Sequence, residues 1–199
     1  MTNDASGPFL ARCRELIAAN VERLRGYAGI TPEIANRRPA DGGWSAAQCI
    51  DHAVLTVELY LPFMDEALAR SRPLATGEVK GRGTLVGRVL LDALDPDRKK
   101  PRRIRAPGIF APSQEPIDWP ALLDRAQTAH DRLLEILERG ADRDLDRARH
   151  RTPLSWLLRV SLAQALQVHA IHVARHLDQA DRVLAASGRA PAEPATATA

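Results

Sequence analysis

The chain has 199 residues, enough for one domain with a sizeable core. Apolar residues make up 45% and charged residues 27%, and aromatics at 4% favour an Ala- and Leu-rich helical core over a sheet sandwich. A formal charge of +3 admits anionic small molecules as ligands without arguing for nucleic acid, and the two cysteines, Cys13 and Cys49, exclude a disulfide framework or a cysteine zinc pattern.

The N-terminus has an early acidic residue and no apolar run of signal-peptide length, and no stretch approaches 18 uninterrupted apolar residues. The cytoplasm is therefore the expected location, with no membrane partner.

Four long helices are predicted. The first runs from about Pro8 to Ala28, with Ser6 as a candidate cap and Leu10, Cys13, Ile17, Val21 and Leu24 as its apolar stripe. The second opens at GGWSAAQCIDH, where Ser45 and Gln48 have the spacing of a capping box and Trp44 stands where a hydrophobic staple belongs. Ile50, Val54, Val57, Leu61, Met64 and Leu68 keep its helical period, and Leu55, Leu59 and Phe63 make a second strip. Asp51, Glu58 and Asp65 mark its wet side. This pattern predicts burial on more than one side.

Arg72 to Ile117 is rich in Pro, Gly and Arg, which predicts a long crossover holding one short helix at GTLVGRVLLDAL. Within it RKKPRRIR, Arg98 to Arg105, is a basic run without interleaved aromatics or a recognition motif. It reads as a solvated loop or an electrostatic funnel, and nucleic-acid binding is not expected. The third long helix starts at Asp118 and Pro120 and ends at Gly140. The fourth starts at Thr152 and Pro153 and runs to about Ala186. The fold class is all-α, a four-helix bundle with one long crossover between helices 2 and 3. Residues 1–186 form the domain and residues 187–199 a low-complexity, disordered tail.

The fourth helix carries VHAIHVARHLDQ. At about 100° per residue, His169, His172 and His176 fall within an arc of about 60°, in the sector of Leu158, Leu162, Ala165 and Val183. The imidazoles therefore look inward and need partners. His172 and His176 are four apart, the spacing that lets two rings reach one ion, and His52 on the second helix is the best third ligand. Core histidines bonded to carbonyls are the competing reading. His169 is the spare, a fourth ligand or a hydrogen-bond partner.

The stretches GGWSAAQCIDHAVLTVELY, RIRAPGIFAPS and HVARHLDQ, in this order, resemble DinB-like proteins. The resemblance implies that His52, His172 and His176 form the metal triad, in an atypical four-helix bundle that is often a homodimer and binds a divalent ion such as zinc or nickel; neutral imidazoles also suit iron. It also implies, among the relatives' activities, S-transfer with low-molecular-weight thiols.

An open position on such an ion takes water or a thiolate and lowers the pKa of either. The expected function is a metal-dependent S-transferase acting on a small-molecule thiol and an electrophile, with a hydrolase as its neighbour. The alternative is a non-catalytic helical binding or dimerisation protein, stress-associated, with a structural metal or none. Around the triad, Cys49 reads as a core residue, Arg175 as a surface ion pair or an anion contact, and Gln179 as the polar end of the core face or a hydrogen-bond partner of ligand or water.

Overall fold

A computed structural model describes residues 7–75, 77–94 and 107–187. Six α-helices are present among them: α1 Pro8–Arg25, α2 Pro32–Asn36, α3 Ala46–Ala69, α4 Leu85–Leu94, α5 Trp119–Arg139 and α6 Leu162–Ala186. A 3-10 turn at Gly108–Phe110 precedes α5, and the strands β1 Arg149–Thr152 and β2 Ser155–Ser161 precede α6. The chain is thus mostly helical with one small antiparallel sheet, a correction to the all-α expectation.

In α1 the stripe of Leu10, Cys13, Ile17, Val21 and Leu24 is buried as its spacing requires. Asn20 joins it and donates from Nδ2 to the Ala170 carbonyl of α6 at 2.9 Å. At the end of α1, Tyr27 donates to Asp181 at 2.5 Å, and Arg23 pairs with Asp178 and Asp181 at 2.8 and 2.7 Å. Ser6, expected to cap α1, lies outside the described residues, as do the basic run Arg98 to Arg105 and the tail from residue 188.

The capping box of α3 is complete. Ser45 Oγ accepts from the Gln48 amide at 3.1 Å, and Gln48 Oε1 accepts from the Ser45 amide at 3.2 Å. Every residue from Ala46 to Val54 is buried, so the first turns of α3 are covered on all sides. That includes Asp51, 7% exposed, which the helical wheel had placed on the wet edge. Helices α5 and α6 pack against α3, and α1 packs against the same two.

The long connection holds the expected short helix, α4, which lies on α6 and β2. It is pinned by Gln164, a fully buried side chain of α6 whose Oε1 accepts from the Thr84 amide at 2.8 Å. Gly87 faces that amide group and leaves room for it.

The last helix begins nine residues later than Thr152 and Pro153 suggest. Those two residues end β1 and open a tight turn, with Thr152 opposite Ser155 across the hairpin. In β1, Arg149 and Arg151 face out while His150 and Thr152 face in, the period of two that a strand demands. The true cap is Ser161, whose Oγ accepts from the Gln164 amide at 3.2 Å. Leu158, assigned above to the histidine sector, lies in β2 instead. It belongs to a run, Trp156 to Arg159, exposed on both faces of the hairpin.

Candidate metal centre

His52 sits in the second turn of α3, on a segment whose start is fixed by the capping box. His172 and His176 occupy successive turns of α6, the helix packed along α3. The three rings meet. Ring centroids lie 5.1 Å apart for His52 and His172, 4.6 Å for His52 and His176, and 4.6 Å for His172 and His176. One nitrogen from each ring can be chosen so that all three lie within 4.8 Å of one another. Among the described residues no cysteine or carboxylate joins the group.

His52 Nδ1 lies 2.5 Å from the Phe110 carbonyl oxygen. A carbonyl only accepts, so the proton is on Nδ1 and the lone pair is on Nε2. Nδ1 of His172 and Nδ1 of His176 are buried with no hydrogen-bond partner among the described residues. Unpartnered ring nitrogens in a buried cluster cost free energy unless a ligand takes them up, and three neutral imidazoles are a donor set suited to zinc, nickel or iron.

The rings are held neutral. Burial pushes His172 down to about 3, and the positive charge that His52, His169 and Arg175 would set beside it adds to the shift. Burial pushes His176 to about 2, helped by His172, His52 and Arg175 and opposed by the neighbouring Gln179 side chain. Burial also lowers His52, against the pull of the Phe110 carbonyl and Asp51. An imidazole that stays unprotonated at neutral pH keeps its lone pair for an ion.

The remaining residues sort themselves around this centre. Trp44, expected as a staple of α3, packs against the core with its indole 5.0 Å from the His52 ring and 6.1 Å from the His176 ring. His169 is apart from the group of three. It is 1% exposed, packs edge-on to Tyr60 at 4.7 Å, and has no hydrogen-bond partner for either nitrogen among the described residues. Cys49 is fully buried, and burial pushes its thiol up to about 12, as befits a core residue. Glu58 pairs with Arg125 at 2.7 Å. The Phe110 carbonyl was not foreseen. A backbone group has no sequence signal of its own, though the segment that carries it lies within RIRAPGIFAPS.

The model of the DinB superfamily matches residues 10–180. The chain belongs to the DinB superfamily. The match runs from α1 into α6 and so includes all three clustered histidines. No curated protein and no solved structure matches the chain significantly. No helix among the described residues is long and apolar enough to cross a membrane.

Proposed function

We propose that this DinB-superfamily chain is a divalent-metal-binding enzyme of the low-molecular-weight-thiol S-transferase type, with His52, His172 and His176 as its metal ligands. The observation that carries the reading is a group of three imidazoles from two packed helices, joined by no other histidine, cysteine or carboxylate among the described residues. Structural zinc sites are closed by four protein ligands, whereas catalytic ones keep a position for solvent or substrate. Zinc or nickel is the preferred ion and iron the next, on the strength of the all-imidazole donor set. Bound there, a divalent ion supplies Lewis acidity that makes a thiol or water nucleophilic at neutral pH.

The chain's own residues orient and select. His52 is oriented by the Phe110 carbonyl, and Trp44 covers the His52 and His176 side of the cluster. Arg175 stands between the two histidines of α6 in sequence. Among the described residues it has no carboxylate within ion-pair distance. A guanidinium left over beside the triad favours a carboxylate-bearing thiol or electrophile. The thiol is the cosubstrate's, since Cys13 and Cys49 are both buried with thiols pushed up to about 12.

The four long helices are read as the family's bundle and the connection between α3 and α5 as its crossover. The exposed Trp156, Leu157, Leu85 and Val89, on β2 and the α4 that packs against it, are read as the contact of the homodimer. Trp156→Ser should then yield a monomer by analytical ultracentrifugation.

The test is a thiol-transfer assay. The metal-loaded chain is given a panel of small thiols with 1-chloro-2,4-dinitrobenzene. In each turnover the thiol sulfur bonds to the ring carbon, chloride leaves and the thiol proton passes to solvent. Transfer above the uncatalysed rate with at least one carboxylate-bearing thiol, lost in His52→Ala, supports the enzyme. A chain that binds one ion tightly yet accelerates no transfer and no hydrolysis points to the non-catalytic binding protein.

A further inference from the structure

The carbonyl that orients His52 belongs to a segment that reaches α3 from far along the chain, and its fastening is unusually explicit. Residues 107–115 run across the first turns of α3 before α5 begins. Gln48 Nε2 donates to the Ser113 carbonyl at 2.8 Å. The Ser113 amide donates to Asp51 Oδ2 at 3.0 Å, and the other carboxylate oxygen, Oδ1, accepts from Arg125 of α5 at 3.2 Å. Three residues before Ser113, the Phe110 carbonyl meets His52 Nδ1 at 2.5 Å, and the Phe110 ring stacks on Tyr60 at 6.2 Å. Gln48, Asp51 and His52 thus form one short patch of α3 gripping one short strap.

We infer that Asp51 is a positioning residue of the metal centre, acting through the Ser113 amide and the Phe110 carbonyl to hold His52 with its Nε2 lone pair presented to the ion. The inference rests on the metal-binding reading given above. Asp51 touches none of the three ligand rings through a hydrogen bond; its two oxygens are taken by Ser113 and Arg125. A carboxylate almost removed from solvent is costly unless its bonds are made, so the strap and Arg125 keep Asp51 in place as much as it keeps them. Released from Asp51, the strap loses one of its two hydrogen bonds to α3 side chains at Ser113, and the His52 ring loses the partner that fixes its tautomer. Because linkage is reciprocal, an ion on His52 must in turn tighten the strap.

The experiment compares wild type with Asp51→Ala and Asp51→Asn, which keeps an acceptor oxygen for the Ser113 amide. Zinc affinity is measured by chelator competition, and the His52 tautomer by long-range proton–nitrogen correlation in the metal-free and zinc-loaded protein. Asp51→Ala should bind zinc about 10- to 100-fold more weakly. Its His52 should populate both tautomers when metal-free, with His172 and His176 unchanged, and Asp51→Asn should restore most of both properties. Amide exchange of Ser113 in the wild type provides a measurement free of any folding defect, and zinc should slow it. Affinity and tautomer unchanged in a folded Asp51→Ala, or Ser113 exchange indifferent to bound zinc, would overturn the inference. A wild type that takes up no zinc defeats the metal reading instead. The metal-free tautomer of His52 in the two variants then still decides whether Asp51 positions that ring.

Discussion

The indole of Trp44 lies 5.0 Å, centroid to centroid, from the imidazole of His52, although one precedes α3 and the other lies in its second turn. The same ring lies 6.1 Å from His176 on α6. Trp44 therefore shares the environment of both helices' contributions to the cluster, and an ion bound there would sit within a few ångströms of an indole.

Titrating the metal-free protein with nickel should quench a fraction of its tryptophan emission, saturating at one ion per chain. Trp119 and Trp156 supply the rest of the signal. The quenched fraction should vanish in Trp44→Phe while nickel uptake persists. Quenching of equal size in that variant would mean that the ion binds elsewhere.

The second prediction concerns acid. Burial holds His169 and His172 down at about 3 and His176 at about 2, against 6.5 for the free imidazole. Between those values the unfolded chain binds protons that the folded chain refuses. Stability is therefore fully present above pH 6.5 and falls as pH drops towards 3, by up to about 1.4 kcal/mol per pH unit for each imidazole. Urea midpoints of the metal-free protein, measured from pH 8 to pH 4, should be flat above 6.5 and steep below it. His169 separates structure from metal here. His169→Phe keeps a ring against Tyr60 and removes two unpartnered nitrogens. It should leave metal content unchanged and reduce the acid slope by one imidazole. Loss of the ion in this variant would make His169 a ligand after all.

How much of this was legible in the sequence depends on whether a feature is local. The stripe of α1, the Ser45–Gln48 box and the shared face of His172 and His176 are each set within a single helix by residues at its own period, and all were readable. The start of α6 was misread because Thr152 and Pro153 imitate a cap and a first helical residue. Yet Ser161 and Gln164 repeat the spacing of Ser45 and Gln48, whereas the alternation of Arg149 to Thr152 is one of burial and not of residue type. That spacing locates the start of the helix, and the hairpin before it has no such mark in the residue types. Asp51 was misplaced for a different reason. A helical wheel shows only one helix, and what buries Asp51 is a strap 62 residues further on, together with Arg125 of α5. The Phe110 carbonyl shares that cause, since a backbone acceptor delivered by a distant loop leaves no mark in residue types.

Gly87 and Gln164 give a prediction about packing alone. A Cβ at Gly87 would overlap the Gln164 side-chain amide, which cannot retreat because Thr84 and Ser161 hold it. Gly87→Val should lower stability by about 1–3 kcal/mol in urea unfolding, through loss of α4 docking, and leave zinc affinity nearly unchanged. A variant as stable as wild type would show that α4 is not seated on α6 as described.

The central claim is that His52 of α3 and His172 and His176 of α6 hold one ion between them. It is tested most directly by elemental analysis of protein purified without a polyhistidine tag, for wild type, His52→Ala, His172→Ala and His176→Ala. The account predicts about one divalent ion per wild-type chain and its loss in each variant, with the folded helical signal retained. A wild type that carries no ion and acquires none from zinc, nickel or iron solutions would contradict it, as would variants that keep the ion.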